Sequence, residues 1–278
     1  MTNDSIPTTR RTVLTGVASA LTAVGVAGAQ ETTTEAGTTT ARGETTAFQV
    51  RIVNASGPDA LQPEGGEPGP VVLSPGVYAA HSPSVQLFAS DESAPEGLEA
   101  LAEDGDPSQL ASAIEGADGI VASGTFDTPV AGGEPGPIGP GDAYGFQVEA
   151  APGDRLSFAT MFVPSNDLFF APGPNGIEFF RDGDPVSGDV TGQVALWDAG
   201  TERNEAPGAG PNQAPRQSGP NTGPEEDAPV RRIEDVDDGY EYPDVSDSIQ
   251  VLVVPEDAGG VTTDDGETTE EAETTATE

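Results

Sequence analysis

The chain contains no cysteine and no lysine: its ten basic residues are all arginine, and it has a single histidine. Without cysteine there are no disulfides, no thiolate metal sites and no cysteine nucleophile. Packing, hydrogen bonds and a hard cation are the means left for holding a fold together. Against the ten arginines stand 48 Asp and Glu residues, a formal net charge of −38 over 278 residues. Such a surface repels DNA, RNA and anionic lipid, all of which need cationic side chains to neutralise phosphate, so nucleic-acid binding and docking to an anionic membrane are both excluded.

Charge of this size has two readings. One is intrinsic disorder, expected where hydrophobicity is low and net charge high. The other is a folded protein adapted to strong salt, where the Debye length falls to about 3 Å at 1 M and self-repulsion is screened. Position separates them. Between Phe48 and Val254 run apolar segments such as Val50-Arg51-Ile52-Val53, Leu156 to Val163 and Ile249 to Val254, which read as core strands, while both ends are Thr-, Glu- and Asp-rich.

The N-terminus carries an address. Thr9-Arg10-Arg11-Thr12-Val13-Leu14 leads into an apolar segment that ends at Val26, followed by Ala27-Gly28-Ala29. This pattern predicts a twin-arginine secretory signal over residues 1–29, cut after Ala29; an uncleaved anchor is the alternative, disfavoured by the short, Gly-, Ala- and Thr-rich run. Residues 30–46 then read as a Thr-rich disordered linker and 256–278 as an acidic Thr/Glu-rich tail, both open to O-glycosylation. The expected location is extracellular or at the cell surface.

Residues 47–255 are long enough for one all-β domain of sandwich or barrel size. Strands are expected at about 47–54, 71–73, 77–88, 144–149, 155–163, 190–197 and 247–254, between Gly and Pro clusters. Pro140-Gly141-Asp142 and Pro152-Gly153-Asp154 carry turn chemistry and frame an expected hairpin of Tyr144–Glu149 with Arg155–Val163. Two short helices, Glu96–Glu103 and Ser108–Ile114, are expected as an insertion at the sandwich edge. The segment from Asn204 to Pro229 is Pro/Gly-rich without apolar periodicity, a loop either functional or mobile at that length.

The lone His81 lies in a strand-like segment and reads as structural, since there is no Gly-x-Ser-x-Gly elbow to make it a triad base. Carboxylate pairs suited to glycoside hydrolysis cannot be picked out from so many acids. Two acid-bearing loops at strand ends stand apart. Leu156–Val163 leads into Pro164-Ser165-Asn166-Asp167, and Val194-Ala195-Leu196 leads into Trp197-Asp198-Ala199-Gly200-Thr201-Glu202. Calcium takes six to eight hard oxygen ligands, which converging loops of this kind supply; Gly200 permits the sharp turn that brings Asp198 and Glu202 toward one point. Read from composition, the same acids are equally ordinary solvated turn residues.

These two loops, with Pro75-Gly76-Val77-Tyr78-Ala79-Ala80-His81 and Gly97–Gly105, resemble the spondin N-terminal domain found in F-spondin and mindin and in stand-alone secreted prokaryotic proteins. The resemblance runs from about Phe48 to Val254. It implies an antiparallel eight-stranded β-sandwich with a calcium ion in loops at one end, held by carboxylates that carry over to Asp167, Asp198 and Glu202. The last is a departure, Glu for Asp, and the animal domain's disulfides are impossible here. Animal members are matrix adhesion molecules, so the expected function is a secreted, non-enzymatic calcium-binding module for binding or adhesion, monomeric, with an extracellular protein or glycan as partner. The alternatives are an extracellular carbohydrate hydrolase with paired carboxylates, and a structural surface protein without a partner. Asn54-Ala55-Ser56 is an N-glycosylation sequon.

Overall fold

A computed structural model of the chain describes residues 43–63 and 66–256. The expected signal peptide, nearly all of the Thr-rich linker and the tail beyond Glu256 lie outside the described residues. The strands, in chain order, are β1 (Thr46–Asn54), β2 (Leu73–His81), β3 (Ile120–Phe126), β4 (Ala143–Ala150), β5 (Arg155–Phe162), β6 (Leu168–Pro172), β7 (Ile177–Glu178), β8 (Phe180–Arg181), β9 (Asp184–Pro185), β10 (Gly188–Asp189), β11 (Val194–Asp198), β12 (Arg231–Arg232) and β13 (Ile249–Pro255). The helices α1 (Glu96–Asp104) and α2 (Ser108–Ile114) fall between β2 and β3. The described chain is therefore mostly β, and its strand pairings are antiparallel.

Two sheets share one core. The first has the order β10-β13-β1-β4, the second β12-β11-β6-β5-β2-β3, with β7 paired to β5. In β1 the alternation of Phe48, Val50 and Ile52 with Gln49 and Arg51 buries one face and leaves the other wet, and β4 and β13 do the same with Tyr144, Phe146, Val148 and Ile249, Val251, Val253. These side chains meet Leu156, Phe158, Phe162, Leu168 and Phe170 of the second sheet. Every residue of β5 from Leu156 to Phe162 is buried, because the second sheet is covered on both faces. Its outer face presents Val77, Ala79, Ala159, Phe169, Ala171 and Trp197 to Leu98, Leu101, Leu110 and Ile114 of the helices.

Three expectations change. The helices lie where expected in sequence, but they cover the outer face of the second sheet rather than its edge; the small outward side chains Ala79, Ala159 and Ala171 let them approach. β4 and β5 do not pair. β4 bonds to β1 and β5 to β2, so the Pro152-Gly153 turn, with Gly153 at φ +98°, carries the chain from one sheet to the other. The expected strands at 71–73 and 77–88 are replaced by one strand, β2, over Leu73–His81, with a register shift between Leu73 and Gly76, and residues 82–88 are turn and loop rather than strand. A Cβ on Gly76 would meet the Ala159 carbonyl oxygen at 2.2 Å, so no larger residue fits there. β3 and β6 were not expected as strands.

Candidate metal centre

The pairing of β6 with β11 sets Leu168 opposite Asp198, which brings the loop before β6 against the loop after β11. The first loop is fixed by Ser165, whose hydroxyl donates to the Phe162 carbonyl at 2.5 Å and accepts from the Leu168 N–H at 3.1 Å. The second is turned by Gly200 at φ +73°, whose N–H donates to Asp198 Oδ1 at 2.7 Å. A Cβ there would lie 2.4 Å from the Ala228 carbonyl oxygen.

All three expected carboxylates are buried: Asp167 and Asp198 are 0% exposed and Glu202 2%. Asp167 Oδ2 accepts from the Thr201 and Glu202 N–H groups at 2.9 and 3.0 Å and from the Thr201 hydroxyl at 3.2 Å. Asp198 Oδ2 accepts from Asn204 Nδ2 at 3.1 Å and from Arg231 Nε and Nη2 at 3.1 and 3.0 Å. Arg231 Nη2 also reaches both oxygens of Glu226 at 3.1 Å. Glu202 accepts from Asn166 Nδ2 at 3.1 Å and from the Gly223 N–H at 2.6 Å. One atom is left over: Asp167 Oδ1 is buried with no hydrogen-bond partner.

Electrostatics follow from this geometry. Burial, followed by the charge of Asp198, pushes the Asp167 carboxyl up to about 8, against the pull of the Glu202 and Thr201 N–H groups. Burial also raises Asp198, opposed chiefly by Arg231, and raises Glu202, opposed by Asn166 and Gly223. A fourth acid comes from α1: Glu103 is 2% exposed and pushed up to about 7 by burial, with a hydrogen bond to Thr201 acting the other way. Of these four buried acids only Asp198 is paired with an arginine, Arg231; burial opposes ionisation of the others, and an added cation would favour it.

The structure sets the loops that carry Asp167, Asp198 and Glu202 side by side and buries all three acids; the sequence did not single out Glu103 or Arg231. The Arg231-Arg232 doublet in a chain with ten basic residues was the available signal for the second; nothing in the helical pattern marked the first. Among the described residues, no group of three or more His, Asp or Glu side chains stands in a metal-ligating arrangement. The oxygens of Glu202 are held by Asn166 and Gly223, which leaves Asp167 Oδ1 as the unsatisfied acceptor. An all-oxygen donor set with a bare buried carboxylate oxygen fits a hard divalent cation. An open crevice of about 490 Å³ runs beside Arg231 and Asn204.

His81 is buried in β2, with Nδ1 2.8 Å from the Ser82 carbonyl oxygen and Nε2 2.8 Å from Ser157 Oγ. A carbonyl only accepts, so Nδ1 carries the proton and the neutral ring accepts from the Ser157 hydroxyl at Nε2. Both residues are buried, as a structural pair requires. Asn54 of the sequon is 1% exposed, and its amide donates to the Val71 and Ile138 carbonyls at 2.9 and 3.1 Å, so its nitrogen is committed inside the fold. No helix among the described residues is long and apolar enough to cross a membrane.

No curated protein matches the chain. A family model described as Spondin_N matches residues 70–217, more than half of the chain and a span that includes Asp167, Asp198 and Glu202. The chain belongs to the spondin N-terminal domain family.

Proposed function

We propose that this protein is a secreted, calcium-binding, non-enzymatic β-sandwich that serves as a binding or adhesion module outside the cell. Membership of the spondin N family supports the extracellular binding role. The observation that carries the calcium reading is Asp167 Oδ1: a buried carboxylate oxygen with no donor, beside the charge of Asp198. Asp167 and Asp198 would hold the ion, and Glu202 would either complete the set or keep the second loop in place through Gly223. A bound Ca²⁺ supplies positive charge where the fold has concentrated negative charge. Asp167 Oδ2 meanwhile keeps the Thr201 and Glu202 N–H groups in line, and Arg231 and Asn204 fix the Asp198 carboxylate from its other side, the outer-layer arrangement that ligating carboxylates require.

Eight of the strands, β1 to β6, β11 and β13, are five residues or longer, in keeping with an eight-stranded sandwich carrying short accessory pairings. The site sits at the ends of two of them. The affinity expected for an extracellular site of this kind is about 10⁻⁴ to 10⁻³ M. The test is thermal unfolding at fixed ionic strength with calcium and with chelator. Calcium should raise Tm, and Asp198→Ala should abolish the rise; identical melts of the parent protein in calcium and in chelator would dispose of the reading.

A further inference from the structure

The segment after the site is one of the longest without regular structure among the described residues, yet its two roots end on the candidate ligands. At one root, Asn204 Nδ2 donates to Asp198 Oδ2 at 3.1 Å and the Glu205 N–H to Asn166 Oδ1 at 3.1 Å. At the other, the Gly223 N–H donates to Glu202 Oε1 at 2.6 Å. The flanks are laddered together: the Arg203 N–H donates to the Pro224 carbonyl at 2.8 Å, Glu226 to Thr201 at 2.7 Å and Ala228 to Gly200 at 3.0 Å. Farther out the loop touches α1 only through side chains, Gln217 Nε2 to Asp104 Oδ1 at 2.7 Å and Asn221 Nδ2 to Glu99 Oε1 at 3.1 Å.

We infer that the loop over residues 204–223 is governed by the cation site at its roots: a divalent ion on Asp167 and Asp198 holds it closed, and without the ion it opens as a unit. This rests on the calcium reading above. The physical basis is the unpartnered buried oxygen of Asp167 at the roots of the loop. Opening lets water reach Asp167 Oδ1 and its neighbours, which relieves the cost of burying them. A bound ion removes that incentive and is itself lost when the roots separate. An ion that binds only the closed form suppresses opening by the factor 1 + [L]/Kd, about 100-fold at 100 times Kd.

Arginine placement supplies the assay. Arg203 and Arg216 are exposed at the first root and within the loop, while the exposed Arg181 lies in the separate β8–β9 pairing. The whole protein is incubated with trypsin at fixed ionic strength, with CaCl₂ or with chelator, and cleavage after each arginine is followed by mass spectrometry. Calcium uptake is measured separately by calorimetric titration. The expected result is cleavage after Arg203 and Arg216 slowed up to about 100-fold by calcium at 100 times Kd, with the Arg181 rate little changed. By reciprocity, protein nicked only after Arg216 should bind calcium more weakly. Calcium uptake with unchanged loop cleavage, equal slowing at all three arginines, or unaltered affinity in the nicked protein would overturn the inference. Absence of calcium uptake in the titration would overturn the reading beneath it as well.

Discussion

Replacing Asp167 by Asn should have opposite consequences with and without calcium. In the parent protein Asp167 Oδ2 accepts three hydrogen bonds while Oδ1 accepts none. The asparagine is nearly isosteric. Its oxygen takes over the role of Oδ2, and its amide nitrogen stands where the bare oxygen faced the charge of Asp198, so an unpaired acceptor becomes a donor beside a carboxylate. Leaving a buried polar group unsatisfied costs about 1–3 kcal/mol, and more when it is charged. Taking about 2 kcal/mol for that relief, and about 2–4 °C per kcal/mol for a domain of this size, Asp167→Asn should melt about 4–8 °C above the parent in chelator at a pH above about 8, where the parent carboxyl is ionised.

Calcium reverses the comparison. At 100 times Kd it stabilises the parent by about 2.7 kcal/mol and should raise its Tm by about 5–11 °C, whereas the variant, lacking the bare anionic oxygen, should not respond. The assay is scanning calorimetry of both proteins in both buffers, with fluorescence of Trp197, the single tryptophan, as a second probe beside Asp198. A variant less stable than the parent in chelator would show that Asp167 Oδ1 is not an uncompensated group. A variant that still gains stability from calcium would show that the ion sits elsewhere.

Gly200→Ala places a side chain on a backbone at φ +73° and 2.4 Å from the Ala228 carbonyl oxygen; a loss of about 1–3 kcal/mol in chemical denaturation is expected, together with weaker calcium binding, and an unperturbed variant would refute the need for that turn. Burial, followed by the nearby Arg155, holds the His81 pKa below its ordinary 6.5, against the Ser82 carbonyl and Asp154. The unfolded chain therefore takes up a proton first as pH falls: the contribution of His81 is whole above about 6.5 and is lost as pH drops toward the lower folded value. Stability measured from pH 7.5 to 5 should fall more steeply for the parent than for His81→Gln. Asn54 should stay unmodified when the protein passes through a glycosylating secretory host, by intact mass, and Asn54→Ala should cost about 1–3 kcal/mol because the two buried donations of its amide are lost and the Ser56 N–H loses its acceptor, Asn54 Oδ1.

Much of the fold could be read from the chain because period-two burial survives wherever a sheet has one wet face. β1, β4 and β13 were legible for that reason, and their apolar and polar residues alternate along the strand. β3 and β6 were not, because sheet two has no wet face at β6, where Leu168 and Phe170 enter one core and Phe169 and Ala171 the other, and Ile120–Phe126 is half-buried along almost its whole length at an edge. The mistaken hairpin has the same root. Turn residues at Pro152-Gly153 report that the chain reverses but not which sheet it reverses into, since both outcomes use the same φ at glycine. The helices were found from their period but misplaced, because the outward alanines that receive them are scattered over β2, β5 and β6.

The site obeys a different logic. With 48 acids in the chain, frequency carries no information, and strand-end position together with the resemblance to the spondin N-terminal domain selected Asp167, Asp198 and Glu202. What separates Asp167 from the other two is how its hydrogen bonds are shared out, all on Oδ2 and none on Oδ1, because Thr201 and Glu202 turn their N–H groups toward one oxygen and away from the other. Glu103 and Arg231 arrive from positions remote in sequence, on α1 and β12. A chain so acidic dissolves readily whatever its carboxylates do. The four that it buries here, of which only Asp198 is paired with an arginine, are therefore the costly ones, and only a ligand or a structural task at that spot accounts for keeping them inside.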